Sequence, residues 1–155
     1  MGYTKIFAIR QRLDKTVAYA ANEEKTCLGK LVDYAADPEK TKMRLYESCI
    51  NCQSVGSAYK EMISTKEKWG KKDGVQGYHI IQSFKPGEVT PELAHAIGME
   101  FAQKLFGDRY EAVVATHLNK HHYHNHIVIN SVSFVDGKKY ANCKCKLDTR
   151  TVKIS

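Results

Sequence analysis

Residues 117–130 read HLNKHHYHNHIVIN and hold five of the seven histidines in the chain. In extended backbone, side chains two apart share a face, so His124 and His126 point one way while Ile127 and Ile129 point the other. His117 ends the preceding apolar run and reaches the same face across the polar link 119–123. Three neutral imidazoles converging on one side suit a divalent cation and leave coordination positions open for substrate oxygens. Such an ion acts as a Lewis acid on a phosphate oxygen, stabilising charge that grows in the transition state. His122 reads either as a fourth ligand, which would close the site into a structural zinc centre, or as a group orienting a ligand from outside. His121 reads as solvent-exposed, and His79 and His95 carry no signal of their own.

A Lewis-acid site on phosphate needs a nucleophile, either water or a side chain. A tyrosine oxygen can attack a phosphodiester and keep the energy of the broken bond in a phosphotyrosine, so the strand can later be rejoined. Its phenol titrates near about 10 and requires activation. The residues alone do not choose among the nine tyrosines. The sequence also contains an unusual repetition: YAANEEKT begins at Tyr19 and YAADPEKT at Tyr34, identical at six of eight positions. Two copies fifteen residues apart do not build a solenoid, and both duplication and coincidence stay open.

The elements that must carry these residues follow from periodicity and punctuation. Thr4 to Ile9 reads as a strand. Leu13, Val17 and Ala21, four apart, predict a helix over 13–21 that bears Tyr19. A strand is expected over 44–51 and a helix over 55–69 that stops at Gly70. Residues 70–77 are a loop, and 77–84 a strand. Thr90 as N-cap, Pro91 at the first helical position and Glu92 start a helix with the stripe Leu93, Ala94, Ile97, Phe101 and Leu105, ended by Gly107. Strands over 110–118 and 124–134 follow, the second bounded by the turn at Asp136 and Gly137. This order predicts an α+β fold, a central, mainly antiparallel sheet with helices packed on one face. The domain is expected to span 1–139, leaving 140–155 as a basic, poorly packed tail.

At 155 residues, 43% hydrophobic and 26% charged, the chain fits one globular domain. With no apolar run long enough to span a bilayer and no secretory signal, a cytoplasmic protein without membrane insertion is expected. Its 24 Lys and Arg against 17 Asp and Glu give a net charge of +7, which suits a polyanionic partner, although a basic soluble surface has the same composition. Five cysteines, an odd number, argue against a disulfide framework. Cys49 with Cys52 and Cys143 with Cys145 have the spacing of thiolate zinc ligands, but the pairs are far apart and free thiols are expected.

ATHLNKHHYHNHIVINSVSF, with the upstream QSFKPGEVTPELAHAIGMEFAQKLFGDRYEAVVATH, resembles the mobilisation-type relaxases of bacterial plasmids and integrative elements, members of the HUH endonucleases. The middle position of the motif is Asn125, polar where the wider superfamily has a bulky residue. YAANEEKT resembles the family's first motif, and the likeness runs from about Thr4 to Lys139. The resemblance implies an HUH-endonuclease-like fold with Tyr19 as nucleophile, and Tyr34 as its competitor from the repeat. It implies His117, His124 and His126 as metal ligands, with His122 and Asn130 as auxiliary positions near the site. Magnesium or manganese is the implied ion, with other transition metals compatible with imidazole. The implied reaction is strand-specific nicking and rejoining of single-stranded DNA at a transfer origin through a 5′-phosphotyrosine, with accessory mobilisation proteins as partners. The segment after Tyr140 departs from the family's pattern and reads as a truncated or frameshifted end. Three other readings compete: a rolling-circle replication initiator, a non-catalytic DNA-binding remnant, and a structural zinc module that would unfold with chelator.

Overall fold

The computed structural model describes residues 3–10, 13–20, 46–118 and 122–141. The elements run β1 (Tyr3–Ile9), α1 (Leu13–Ala20), β2 (Glu47–Ile50), α2 (Ala58–Trp69), β3 (Gly77–Ser83), α3 (Pro91–Phe106), β4 (Ala112–His117) and β5 (His124–Asn130). The strands form one sheet in the order β1-β3-β5-β4-β2, and every neighbouring pair is antiparallel. The α+β class and the antiparallel sheet are those expected.

The layering is richer than one helical face. Ile127, Ile129, Val114 and Ile80 point to the side covered by α3, where Phe101, Ala102 and Phe106 complete the larger core. Val113 and Val128 point the opposite way and pack with Leu13, Val17 and Ala20 of α1 and Ala58 and Met62 of α2. Both faces of β4 and β5 are buried, so these strands are apolar at successive positions rather than alternating.

Local chemistry accounts for the helix ends. The Thr90 side chain accepts a hydrogen bond from the Leu93 N–H at 3.1 Å, with Pro91 next in the chain. Gly70 stops α2 in the left-handed conformation, φ +65°, and the following amide donates to the Lys66 carbonyl. Leu93, counted in the apolar stripe of α3, is instead 49% exposed. It lies in the first turn, whose buried packing against Phe84 is made by the neighbouring Ala94 instead.

Strand β5 ends at Asn130 rather than continuing to 134. Beyond it the chain turns at Gly137, φ +73°, with a single bridge between Val132 and Lys139. Tyr140, assigned to the tail, is part of the fold: its ring lies edge-on to Tyr78, Phe106 and Tyr110, with centroids 5.3–5.7 Å apart. Its aromatic body buries apolar area that a basic segment would otherwise lack. The remainder of the tail, from 142, lies outside the described residues.

Candidate active site

The register brings the histidines together. His117 pairs with His124 across β4 and β5, and Ala115 with His126, so all three side chains share the face that carries α1 and α2. The rings of His117 and His126 stack at 3.9 Å, and His126 and His124 lie 6.4 Å apart. His122 stands beside His124 at 4.5 Å. His117 and His126 are 3% and 6% exposed, while His124 and His122 are half-buried at the rim.

The protons of this cluster are partly fixed by neighbours. Nε2–H of His117 donates to the Ala20 carbonyl at 2.9 Å. That bond ties the C-terminal end of α1 to the cluster, and Tyr19 is the residue before Ala20 in the chain. The backbone of Tyr19 lies in α1; its side chain, and Tyr34 altogether, lie outside the described residues. On β3, His79 faces the same side and its Nε2 lies 2.8 Å from Nδ1 of His126. Burial lowers the pKa of His79.

The donor set fits a divalent cation in its chemistry: clustered imidazoles, two of them buried, with one already held through its second nitrogen. Ser83 adds to this, since it stands opposite His124 in register and its buried hydroxyl has no hydrogen-bond partner among the described residues. The stacked pair directs its ring faces, not its lone pairs, at each other, and among the described residues no three side chains already form a closed cation cage.

Asn125 and Asn130 have other surroundings. Asn125 points to the α3 side and is fully buried. Its amide donates to Gln82 Oε1 at 3.0 Å and to the Ala94 carbonyl at 2.7 Å, and its oxygen accepts from the Thr116 hydroxyl at 2.6 Å. With that proton committed, Thr116 accepts from Nδ1–H of His95 at 3.0 Å, and the Ser48 hydroxyl donates to His95 Nε2 at 2.8 Å. The polar residue between the two histidines is thus the centre of a buried network that fixes β2, β3, β4 and β5 under α3. Asn130 faces the histidine side but sits four residues beyond His126, about 13 Å along the strand. Its oxygen accepts from the buried Lys66 ammonium, and its amide donates to the Met62 carbonyl and to Glu111. The structure brings His122 to the cluster and leaves Asn130 outside it, pinning α2 to the sheet. Among the described residues Cys49 and Cys52 are free thiols, while Cys143 and Cys145 lie outside the described residues.

Residues 34–154 match the family model described as relaxase, MobA/VirD2-like, nuclease domain. The chain belongs to the MobA/VirD2-like relaxase nuclease-domain family. The match begins at Tyr34 and runs through the tail to 154, and it contains the whole histidine cluster. Among individual relatives, a Staphylococcus aureus "Protein rlx" is 47% identical over 104 residues, covering 66% of this chain and 32% of the relative. A second S. aureus protein of that name is 46% identical over 102 residues, 66% of this chain and 31% of its own length. The "Group II intron-interrupted relaxase LtrB" of Lactococcus lactis subsp. cremoris (strain MG1363) is 43% identical over 75 residues, 48% of this chain and 13% of the relative. The matched part spans about a third or less of these relatives' length. Among the described residues, no helix is long and apolar enough to cross a membrane.

Proposed function

We propose that the chain nicks and rejoins one strand of single-stranded DNA at a transfer origin, with Tyr19 as nucleophile and His117, His124 and His126 as ligands of a divalent cation. The observation that carries this reading is the hydrogen bond from His117 to the carbonyl of Ala20, which tethers the end of the tyrosine-bearing helix to the histidine cluster. It supports Tyr19 as the nucleophile, with Tyr34, the second copy of the repeat, as the alternative. The printed names of the relatives, relaxases among them, favour mobilisation over replication initiation.

In this mechanism the net positive chain attracts the phosphate backbone. Bound at the cluster, manganese or magnesium would supply Lewis-acid stabilisation to a phosphate oxygen. The Tyr19 oxygen attacks phosphorus in line, the bond to the 3′ oxygen breaks, and the phenolic proton passes to the surrounding base or solvent. The products are a 5′-phosphotyrosine and a free 3′-hydroxyl, and attack by that hydroxyl reverses the step. His122, at the rim beside His124, would orient that ligand as an auxiliary group. Accessory mobilisation proteins belong to the same reading, as partners that deliver the origin.

The experiment is incubation with Mn2+ and single-stranded oligonucleotides carrying the transfer origin of the encoding element, resolved on a denaturing gel. A protein-linked strand that is lost in Tyr19→Phe and retained in Tyr34→Phe supports the assignment. Loss in Tyr34→Phe alone reassigns the nucleophile, and no adduct with the wild type returns the chain to a DNA-binding remnant.

A further inference from the structure

A lone histidine in a strand usually satisfies itself locally, and nothing in the spacing of His79 ties it to residues nearly fifty positions later. The β3–β5 register does. His79 stands opposite Val128, diagonal to His126 on the same face, and the two rings lie 5.0 Å apart with Nε2 of His79 2.8 Å from Nδ1 of His126. His126 is 6% exposed and its ring also stacks on His117, so a change in its tilt is transmitted to the stacked pair.

We propose that His79 is a positioning residue for the histidine cluster, holding Nδ1–H of His126 so that this ring presents Nε2 to the cluster. An imidazole that ligates through one nitrogen carries its proton on the other, and the partner of that proton fixes both tautomer and ring plane. His79 accepts through Nε2 and therefore keeps its own proton on Nδ1. A hydrogen-bonded pair of neutral rings thus crosses from the central strand β5 to β3. The role of the pair in cation binding, and with it the direction of the hydrogen bond from His126 to His79, rests on the reading of the cluster given above; the contact between the two rings does not.

The test uses the full chain and two variants. His79→Ala removes the acceptor, whereas the side-chain oxygen of Gln in His79→Gln reaches about as far as Nε2 and can accept the same proton. Nitrogen-15 spectra of labelled histidine, taken where both rings are neutral, report the His126 tautomer directly. A single Nδ1–H tautomer is expected in the wild type and in His79→Gln, and a mixture in His79→Ala. Calorimetric titration with Mn2+ should show affinity about 10–100-fold weaker in His79→Ala and largely recovered in His79→Gln. Unchanged tautomer and unchanged Mn2+ affinity in a folded His79→Ala protein would overturn the proposal, as would a loss that Gln does not repair. A wild type that shows the fixed tautomer and binds no Mn2+ would keep His79 as the orienting group and overturn the cation reading instead.

Discussion

Lys66 offers a perturbation whose size can be worked from its surroundings. Its side chain is fully buried beneath α2, where the ammonium donates to Asn130 and lies near Glu111, itself hydrogen-bonded by Thr65. Burial brings its pKa from 10.5 down to about 8; the Glu111 carboxylate opposes that shift and Lys139 adds to it. The unfolded chain therefore holds a proton that the folded chain has released between about pH 8 and the ordinary lysine value. Stability rises with pH wherever the unfolded state binds more protons, so this lysine costs stability below pH 8 and the cost fades above it. At about 1.4 kcal/mol per unit, the full difference is about 3 kcal/mol, and about 2–3 kcal/mol of it should appear between pH 7 and pH 10. The thiols of Cys49 and Cys52, raised by burial, contribute with the opposite sign, because the unfolded chain releases their protons first. Comparison with Lys66→Met cancels them, because both proteins share the cysteines. Urea unfolding of the two proteins across this range should show the wild type gaining about 2–3 kcal/mol on the variant as pH rises. Parallel profiles, or a gain by the variant, would refute the description of Lys66 as a buried, charge-bearing group.

Three further outcomes follow from particular contacts. Asn125→Leu leaves Gln82 and Thr116 without their buried partners and should cost about 2–4 kcal/mol in chemical denaturation, although leucine is the more apolar residue. In Gly98→Ala, the added methyl would lie 2.7 Å from Asn125 Nδ2 and 3.1 Å from Val114, against a helix-propensity gain of about 1 kcal/mol. Overpacking should win by about 1–2 kcal/mol, read as a lowered melting temperature. Phe7, 49% exposed on edge strand β1 and opposite His79 in register, offers an aromatic face beside the cluster. Phe7→Ala should weaken binding of single-stranded oligonucleotides by at least about fivefold, the lower end of one base–aromatic stack, without moving the melting temperature by more than a degree or two.

Much of this arrangement is legible from residue order because its signals are local. The caps at Thr90 and Gly70 announce the ends of α3 and α2, and the alternation around His124 and His126 predicts a shared face that the register bears out. His117 joins them because a hairpin returns its strand directly alongside. What sequence order hides depends on partners distant in the chain. His79 meets His126 only through a strand pairing between β3 and β5, and no spacing rule links them. Lys66 resembles any lysine on a charged helix until Asn130 and Glu111 are seen beneath it. The coverage of both sheet faces is equally hidden: Val113 and Val114 are adjacent and apolar, and only the packing of α1 and α2 shows that each serves a different core. Asn130 shares the histidines' face, yet strand length alone separates it from them.

The central claim, that a tyrosine at the end of α1 works beside the histidine cluster, is tested most directly by mapping the covalent product. Oligonucleotide-linked protein formed with Mn2+ would be digested with trypsin and nuclease, and the modified peptide sequenced by mass spectrometry. A nucleotide remnant on Tyr19, with none on Tyr34, is the result expected. A remnant on Tyr34 or on any other residue, or cleaved DNA bearing no protein at all, would contradict it.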